Sequence, residues 1–397
     1  MTCTGILGLE NRQTLMFFKD TDVQESGCSS DPLVLADAKL WNAQTKETLQ
    51  GATSVNFADA SGNPSASFAL ASGSAMAGKD LDAIKARGAL LCGVPTGIAG
   101  FALADSQGKW AGLTVDVCRA VAAAIFGDSE KVKYTPLTSQ QRFTALQSGE
   151  VDILSNNTTA TLTRDTALGL DFTPVTYYDG QGFMVNKKLG VKSAKELNGA
   201  TVCVAPGTTT ELNLADYFRA QKMTFKPVVI EKVDEIRAAF FSGRCDVYTT
   251  DASSLAATRA ANVPPPRTFD DFVILPEIIS KEPLGPVVRH GDHQFADIVR
   301  WALYAMIEAE EYGITSKNVD EMLKSENPTI KRILGVTPGM GKALGVDEKW
   351  VYTIIKQVGN YGEAFERNVG MGSPLKIERG LNALWTKGGL QYAPPIR

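Results

Sequence analysis

From Leu81 onward, short β-branched or leucine-rich runs alternate with stretches whose apolar positions recur at helical spacing. Residues 82–87 read as a helix ended by Gly88, and residues 89–94 as a strand ended by Pro95-Thr-Gly97. After the turn-rich Asp105-Ser-Gln-Gly108, the positions Val115, Cys118, Val121, Ala122 and Ile125 mark a second helix. A strand at 131–134, a helix over Arg142–Gln147 and a strand at 151–154 follow. The series restarts near Ala200, with strands at 201–204, 226–230 and 245–249 and helices at 210–221, 233–242 and 252–260. Strand–helix alternation implies mostly parallel sheets flanked by helices on both faces. Its restart implies two α/β lobes. Residues 294–311 read as one long helix, and residues 312–397 as further helices joined by Gly/Pro turns.

The first 77 residues do not continue this pattern. A polar, weakly periodic stretch containing Cys3 and Cys28 leads into Phe68-Ala-Leu-Ala-Ser-Gly-Ser-Ala-Met-Ala77. Ala75-Met-Ala77 has the form of a signal-peptidase cleavage site. The apolar stretch before it is short, however, Asn63-Pro64 interrupts it, and no basic segment lies immediately upstream. The preferred reading is a secretory leader overwritten by a mis-assigned start or a frameshift. The alternative is a disordered extension. Either way, residues 1–77 are expected to contribute no packed domain.

Charge and composition narrow the function. The net charge of −4 is spread along 397 residues without a basic stripe, which argues against nucleic acid as a partner. No apolar run reaches the length of about twenty residues that a membrane helix needs. The six cysteines include no C-x-x-C pair, so no structural zinc site is expected. His290 and His293 have a spacing that fits a metal on a helix but read as part of a solvated turn, Arg289-His-Gly-Asp-His293. Neither a metal nor a cofactor is expected.

Three segments carry candidate chemistry. Ser155-Asn-Asn-Thr-Thr-Ala-Thr-Leu-Thr-Arg164 delivers one arginine out of a hydroxyl-rich stretch after the strand at 151–154. A guanidinium fork matches a carboxylate, and Thr and Asn groups suit an ammonium or a carboxylate oxygen. A surface ion pair of Arg164 with Asp165 explains the same residues. Ala205-Pro-Gly-Thr-Thr-Thr210 joins a short strand to a helix, which offers unpaired N–H groups and a positive dipole end to an anion. An ordinary threonine cap is the other reading. Arg244-Cys-Asp-Val-Tyr-Thr-Thr-Asp251 ends a strand in a carboxylate that either holds an ammonium or caps the helix from Ala252.

Strand then Arg, strand then Gly-Thr-Thr helix, strand then Asp: this order resembles the amino-acid-binding periplasmic proteins of ABC importers, solute-binding protein family 3. Leu91-Cys-Gly-Val94, Gly112-Leu-Thr-Val-Asp-Val-Cys118, Gln141-Arg-Phe-Thr-Ala-Leu-Gln-Ser-Gly149, Tyr177-Tyr-Asp-Gly-Gln-Gly182 and Leu375-Lys-Ile-Glu-Arg-Gly-Leu-Asn382 are similar to its general, broad-specificity polar L-amino-acid branch. The resemblance runs from Leu81 to the C-terminus. It implies a type II periplasmic-binding-protein fold. Lobe 1 would comprise residues 78–184 plus 286–311, and lobe 2 residues 185–285. A helical extension, 312–397, would pack on lobe 1. The hinge would lie near Phe183-Met-Val-Asn186 and Glu282-Pro-Leu-Gly285.

The resemblance also implies roles. Arg164 from lobe 1 and the Thr209 N–H from lobe 2 would clamp an α-carboxylate, with hydroxyls from Thr208 and Thr210. Asp251, the Thr159 hydroxyl and the Asn157 carbonyl would hold the α-ammonium. Phe101 is the expected wall of the cleft. Ser139-Gln-Gln-Arg142 stands where many relatives have an aromatic, so Gln141, Arg142 or Tyr178 is expected to face a polar side-chain pocket. One disulfide per lobe, Cys92–Cys118 and Cys203–Cys245, suits an exported protein, four buried thiols being the alternative. A monomeric periplasmic receptor would result, cleaved near Ala77-Gly78, that takes free L-amino acids to an ABC permease. The competing reading is an enzyme on this scaffold, a periplasmic cyclohexadienyl or arogenate dehydratase, with Glu211 as its acid.

Overall fold

The structure is a computed structural model and describes residues 79–397, together with four short strands ahead of them. Ile6–Gly8 pairs antiparallel with Leu15–Phe17, and Ser54–Ala58 with Pro64–Ala69. The expectations of a cleavage site at Ala75–Ala77 and of no packed domain in residues 1–77 lie outside the described residues. Residues from Ala77 to the C-terminus form a separate compact unit.

That unit contains two mixed sheets. The first runs, in spatial order, Leu170–Phe172, Glu282–Arg289, Ile153–Thr159, Leu90–Pro95 and Val132–Leu137, with Tyr177–Asp179 also paired to Glu282–Arg289. The second runs Lys226–Val229, Thr201–Val204, Val247–Asp251, Gln181–Asn186 and Phe272–Ile274. Each sheet is mostly parallel, as expected, with one strand running against the rest. The chain crosses between the lobes and returns, so Glu282–Arg289 enters the first sheet and Gln181–Asn186 the second against the direction of their neighbours.

Period-two alternation builds both cores. In the second sheet Phe183, Val185, Val202, Val204 and Val247 face one apolar layer. Met184, Cys203 and Tyr248 face the other, where Phe240, Phe241 and Phe272 pack. In the first sheet Leu90, Cys92, Val94 and Ile153 point toward the helix Leu113–Phe126 and the helix His293–Glu311. Val115, Cys118, Val121 and Ala122, spaced for one helix face, are all buried there. Each such apolar side chain contributes on the order of 1.5–3 kcal/mol by leaving water. Both bridges are formed, Cys92–Cys118 with Cα atoms 6.4 Å apart and Cys203–Cys245 with Cα atoms 5.6 Å apart.

The crossings lie a few residues from the expected ones. Asp179 pairs with Glu282 in the first sheet and Gln181 with Asp251 in the second, so the outward crossing is at Gly180. The return runs through Ile278–Ser280 just before Glu282. A Cβ on Gly180 would sit 2.2 Å from Ile278 Cγ2 and 2.8 Å from the Ser280 carbonyl. Glycine lets the two crossing segments touch. Residues 312–397 join the first lobe's core through Trp350, Ile354, Tyr361 and Phe365. They also brace the outward crossing. Asn382 accepts from Tyr178 N at 2.7 Å and donates to its carbonyl, and the Tyr361 hydroxyl donates to Thr176 O.

Candidate functional site

The polar stretch after the first lobe's third strand is itself strand. Ile153–Thr159 continues through Ser155-Asn-Asn-Thr-Thr159 because Glu282–Arg289 pairs alongside it. This carries Asn157 and Thr159 to the strand end that faces the second lobe. Asn157 adopts φ 44°, and neither atom of its side-chain amide has a partner. Arg164 follows on the short helix Leu162–Ala167, whose cap is Thr161. It is buried, donates from Nη1 to the Thr159 carbonyl at 2.9 Å, and lies 5.1 Å from the centre of the Phe143 ring. It forms no salt bridge with Asp165.

The second lobe supplies the opposite wall. Gly207 takes φ +71° in the turn after Thr201–Val204, and the helix Thr209–Ala220 starts at the cleft. Thr208 is the cap: its hydroxyl accepts from Glu211 N at 3.0 Å and donates to the Ala205 carbonyl at 2.8 Å. Thr210 donates to that same hydroxyl. Both hydroxyls are therefore engaged within the turn, so these residues line the cleft without a free hydroxyl proton. Thr209 and Thr210, in the first helical turn, keep N–H groups that no earlier turn can satisfy. Asp251 occupies the N-cap position of the helix Ala252–Ala261, yet its side chain caps nothing.

The cleft brings together Asn157, Thr159, Thr208, Thr209, Thr210 and Asp251. Arg164 stands behind Thr159. Three expected residues are elsewhere. Phe101 is 1% exposed and packs edge-on against Tyr177 at 5.4 Å, a core residue and no cleft wall. Tyr178 is held by its backbone against Asn382, on the side of the C-terminal extension. Gln141 is exposed at a helix start, where its Oε1 accepts from Thr138 N at 3.3 Å. Residue type suggested these positions, but the pleat and the helix face turned them away. Glu211, the acid of the enzyme reading, accepts from Gly207 N at 3.0 Å and belongs to the helix start.

Of the three candidates for the side-chain pocket, Arg142 is the one that lines the cleft. It is buried and donates to the Asn156 carbonyl at 3.1 Å, with its Nε unpartnered. From the other lobe Arg237, Tyr248 and Ser254 line the same end, and Ser254 Oγ is buried without a partner. Contacts also close the rim: Thr138 donates to Glu231 at 2.7 Å, and Arg237 to the Gly97 carbonyl at 3.1 Å. The lobes thus meet around the cleft.

Burial perturbs the charged groups here. It pushes the Asp251 carboxyl well above the usual range, and the charges of Asp179 and Glu282 push it further, while Arg142 and Arg164 oppose them. Asp179 is raised to about 6, chiefly by burial, against hydrogen bonds from Ser253 and Gly180. Arg142 is lowered to about 9 by burial and by the neighbouring Arg164, and burial lowers Arg164 as well. Arg142 and Asp251 line the cleft itself, and Arg164, Asp179 and Glu282 lie close enough for their charges to act on Asp251. A cleft with cationic and anionic groups side by side suits a small charged solute.

A two-lobed α/β fold whose buried, ion-lined cleft draws on both lobes defines a solute-binding receptor. The profile of bacterial extracellular solute-binding proteins, family 3, matches residues 90–318, and the chain belongs to that family. It is 61% identical over 326 residues to the general L-amino acid-binding periplasmic protein AapJ of Rhizobium johnstonii, covering 82% of this chain and 94% of that one. It is 58% identical over 330 residues to the glutamate/glutamine/aspartate/asparagine-binding protein BztA of Rhodobacter capsulatus, covering 83% and 96%. A solved ABC-transporter periplasmic binding protein from Brucella ovis, with glutathione bound, is 61% identical with a TM-score of 0.78, covering 80% of this chain and 99% of that one. The resemblance noted in the sequence holds along these lengths.

Proposed function

We propose that this protein is a periplasmic receptor that captures free L-amino acids between its closing lobes and delivers them to an ABC permease. The observation that supports this is one cleft that draws Asn157, Thr159, the Thr209 helix start and Asp251 from both lobes, with Arg164 held behind Thr159 on its carbonyl. A buried zwitterion needs partners for both its charges. The α-carboxylate takes the free donors of Arg164 and the Thr209 N–H. The α-ammonium takes Asp251, Thr159 Oγ1 and the Asn157 carbonyl. Ligand bridges the two lobes and shifts the population toward the closed form.

The side-chain end, with Arg142, Arg237, Ser254 and Asn157, suits carboxylate, amide and hydroxyl side chains, which supports broad polar specificity. The names of the relatives that bind general amino acids, or glutamate and its congeners, support the same range. The receptor acts as an exported monomer, processed near Ala77-Gly78, and performs no catalysis. Calorimetric titration of the unfolded and refolded protein against the twenty L-amino acids and glutathione tests this. Tight binding of several polar amino acids is expected. Silence across the amino acids would overturn the reading.

A further inference from the structure

We infer that Glu282, at the return crossing, is a positioning residue: its carboxylate accepts the hydrogen bond of the Thr159 hydroxyl and so leaves that oxygen's lone pairs free to accept from the ligand ammonium. The inference rests on the amino-acid reading of the cleft. Glu282 is 1% exposed, and among the described residues no salt bridge reaches it. Four donors surround it instead. Oε2 accepts from Thr159 Oγ1 at 2.5 Å and Thr209 Oγ1 at 2.7 Å. Oε1 accepts from Asn213 Nδ2 at 2.8 Å and Ser280 Oγ at 2.6 Å.

This arrangement decides the direction of two hydroxyls. Thr159 and Thr209 lie 3.4 Å apart, so without a shared acceptor one would donate to the other. Glu282 Oε2 accepts from both, so both hydroxyl protons turn toward it. The lone pairs of Thr159 Oγ1 are then available to a donor in the cleft. An ammonium has three donors and no acceptor, whereas a misdirected hydroxyl would point its own proton at that charge. The donors also come from different places: Thr159 from the first lobe, Thr209 and Asn213 from the second, Ser280 from the crossing. Glu282 gathers the full set only when the lobes meet, so hydroxyl direction and closure are coupled.

The test is a selectivity ratio, since loss of packing alone weakens all ligands alike. The Kd of L-2-hydroxyglutarate, in which a hydroxyl replaces the ammonium, is divided by that of L-glutamate for the refolded full chain. Glu282→Leu is expected to lower this ratio about tenfold, the worth of one hydrogen bond to a charged group. Thr159→Val is expected to lower it as far on its own. With both changes together the ratio should fall no further than with one. A ratio within twofold of the parent in Thr159→Val, or in a folded Glu282→Leu, would overturn the inference while leaving the receptor reading intact. A parent that binds neither compound would overturn the amino-acid reading and this inference with it.

Discussion

Arg164→Ala should weaken binding of every α-amino acid by roughly the same factor. Arg164 is buried and one Nη1 proton is committed to the Thr159 carbonyl at 2.9 Å. The rest of the fork remains for a ligand, enough for two charged hydrogen bonds to one carboxylate. At about 1.5–3 kcal/mol each, two such bonds amount to roughly 3–6 kcal/mol. Truncation opens space for water beside Phe143, which recovers some of this, so a net loss of about 4 kcal/mol is expected, near three decades in Kd. Arg164→Lys keeps the charge but loses the planar fork, and should fall in between. Calorimetry on refolded protein, with circular dichroism to establish folding, reads the effect. Arg142→Ala is the internal contrast, because its loss should be confined to ligands with carboxylate or amide side chains. A folded Arg164→Ala protein that binds L-alanine and L-glutamate within threefold of the parent would refute the clamp assignment.

The remaining expectations concern protons and architecture. Burial and the charges of Asp179 and Glu282 raise the Asp251 pKa, and a ligand ammonium favours its carboxylate, so binding should release protons and affinity should fall as pH is lowered. Titration in two buffers of different ionisation enthalpy checks this, and proton uptake would contradict it. Asp179→Asn removes a like charge and should move that fall to lower pH. Asp179 itself, raised from 3.8 to about 6, adds stability that is full at low pH and lost as pH rises through about 6. Gly180→Ala should cost about 1–3 kcal/mol through overpacking against Ile278 and Ser280, seen as a lower Tm; an unchanged Tm would mean the crossings yield freely. Replacing Cys203 and Cys245 by alanine opens a link spanning 42 residues and should cost about 4 kcal/mol by the loop-entropy relation, read by denaturant titration against the parent.

Local signals placed most elements. Helical periodicity located the face of Leu113–Phe126, because that pattern records which side of an element leaves water, and short β-branched runs located three strands of the second lobe. The Gly-Thr-Thr helix start and the strand-terminal Asp251 were legible for the same reason: caps and termini are local. Arg164 was legible as a residue type in a polar stretch. The sheet order was not. That Glu282–Arg289 returns beside Ile153–Thr159 is a pairing between segments more than a hundred residues apart, and it extends the strand expected at 151–154 through the polar stretch to Thr159.

The site followed the same division. Which acids and hydroxyls exist is written along the chain, but which of them share a proton depends on distances between lobes. Phe101 has the composition of a cleft wall and the position of a core residue, since only packing against Tyr177 and the C-terminal helices decides its side. Glu282 lies in a run with no site signature, and its four donors come from segments as much as 123 residues away. Residue chemistry and local periodicity are properties of the sequence itself. Direction, burial and the company a charge keeps arise when distant strands are brought side by side, because a hydrogen bond depends on separation in space and takes no account of separation along the chain.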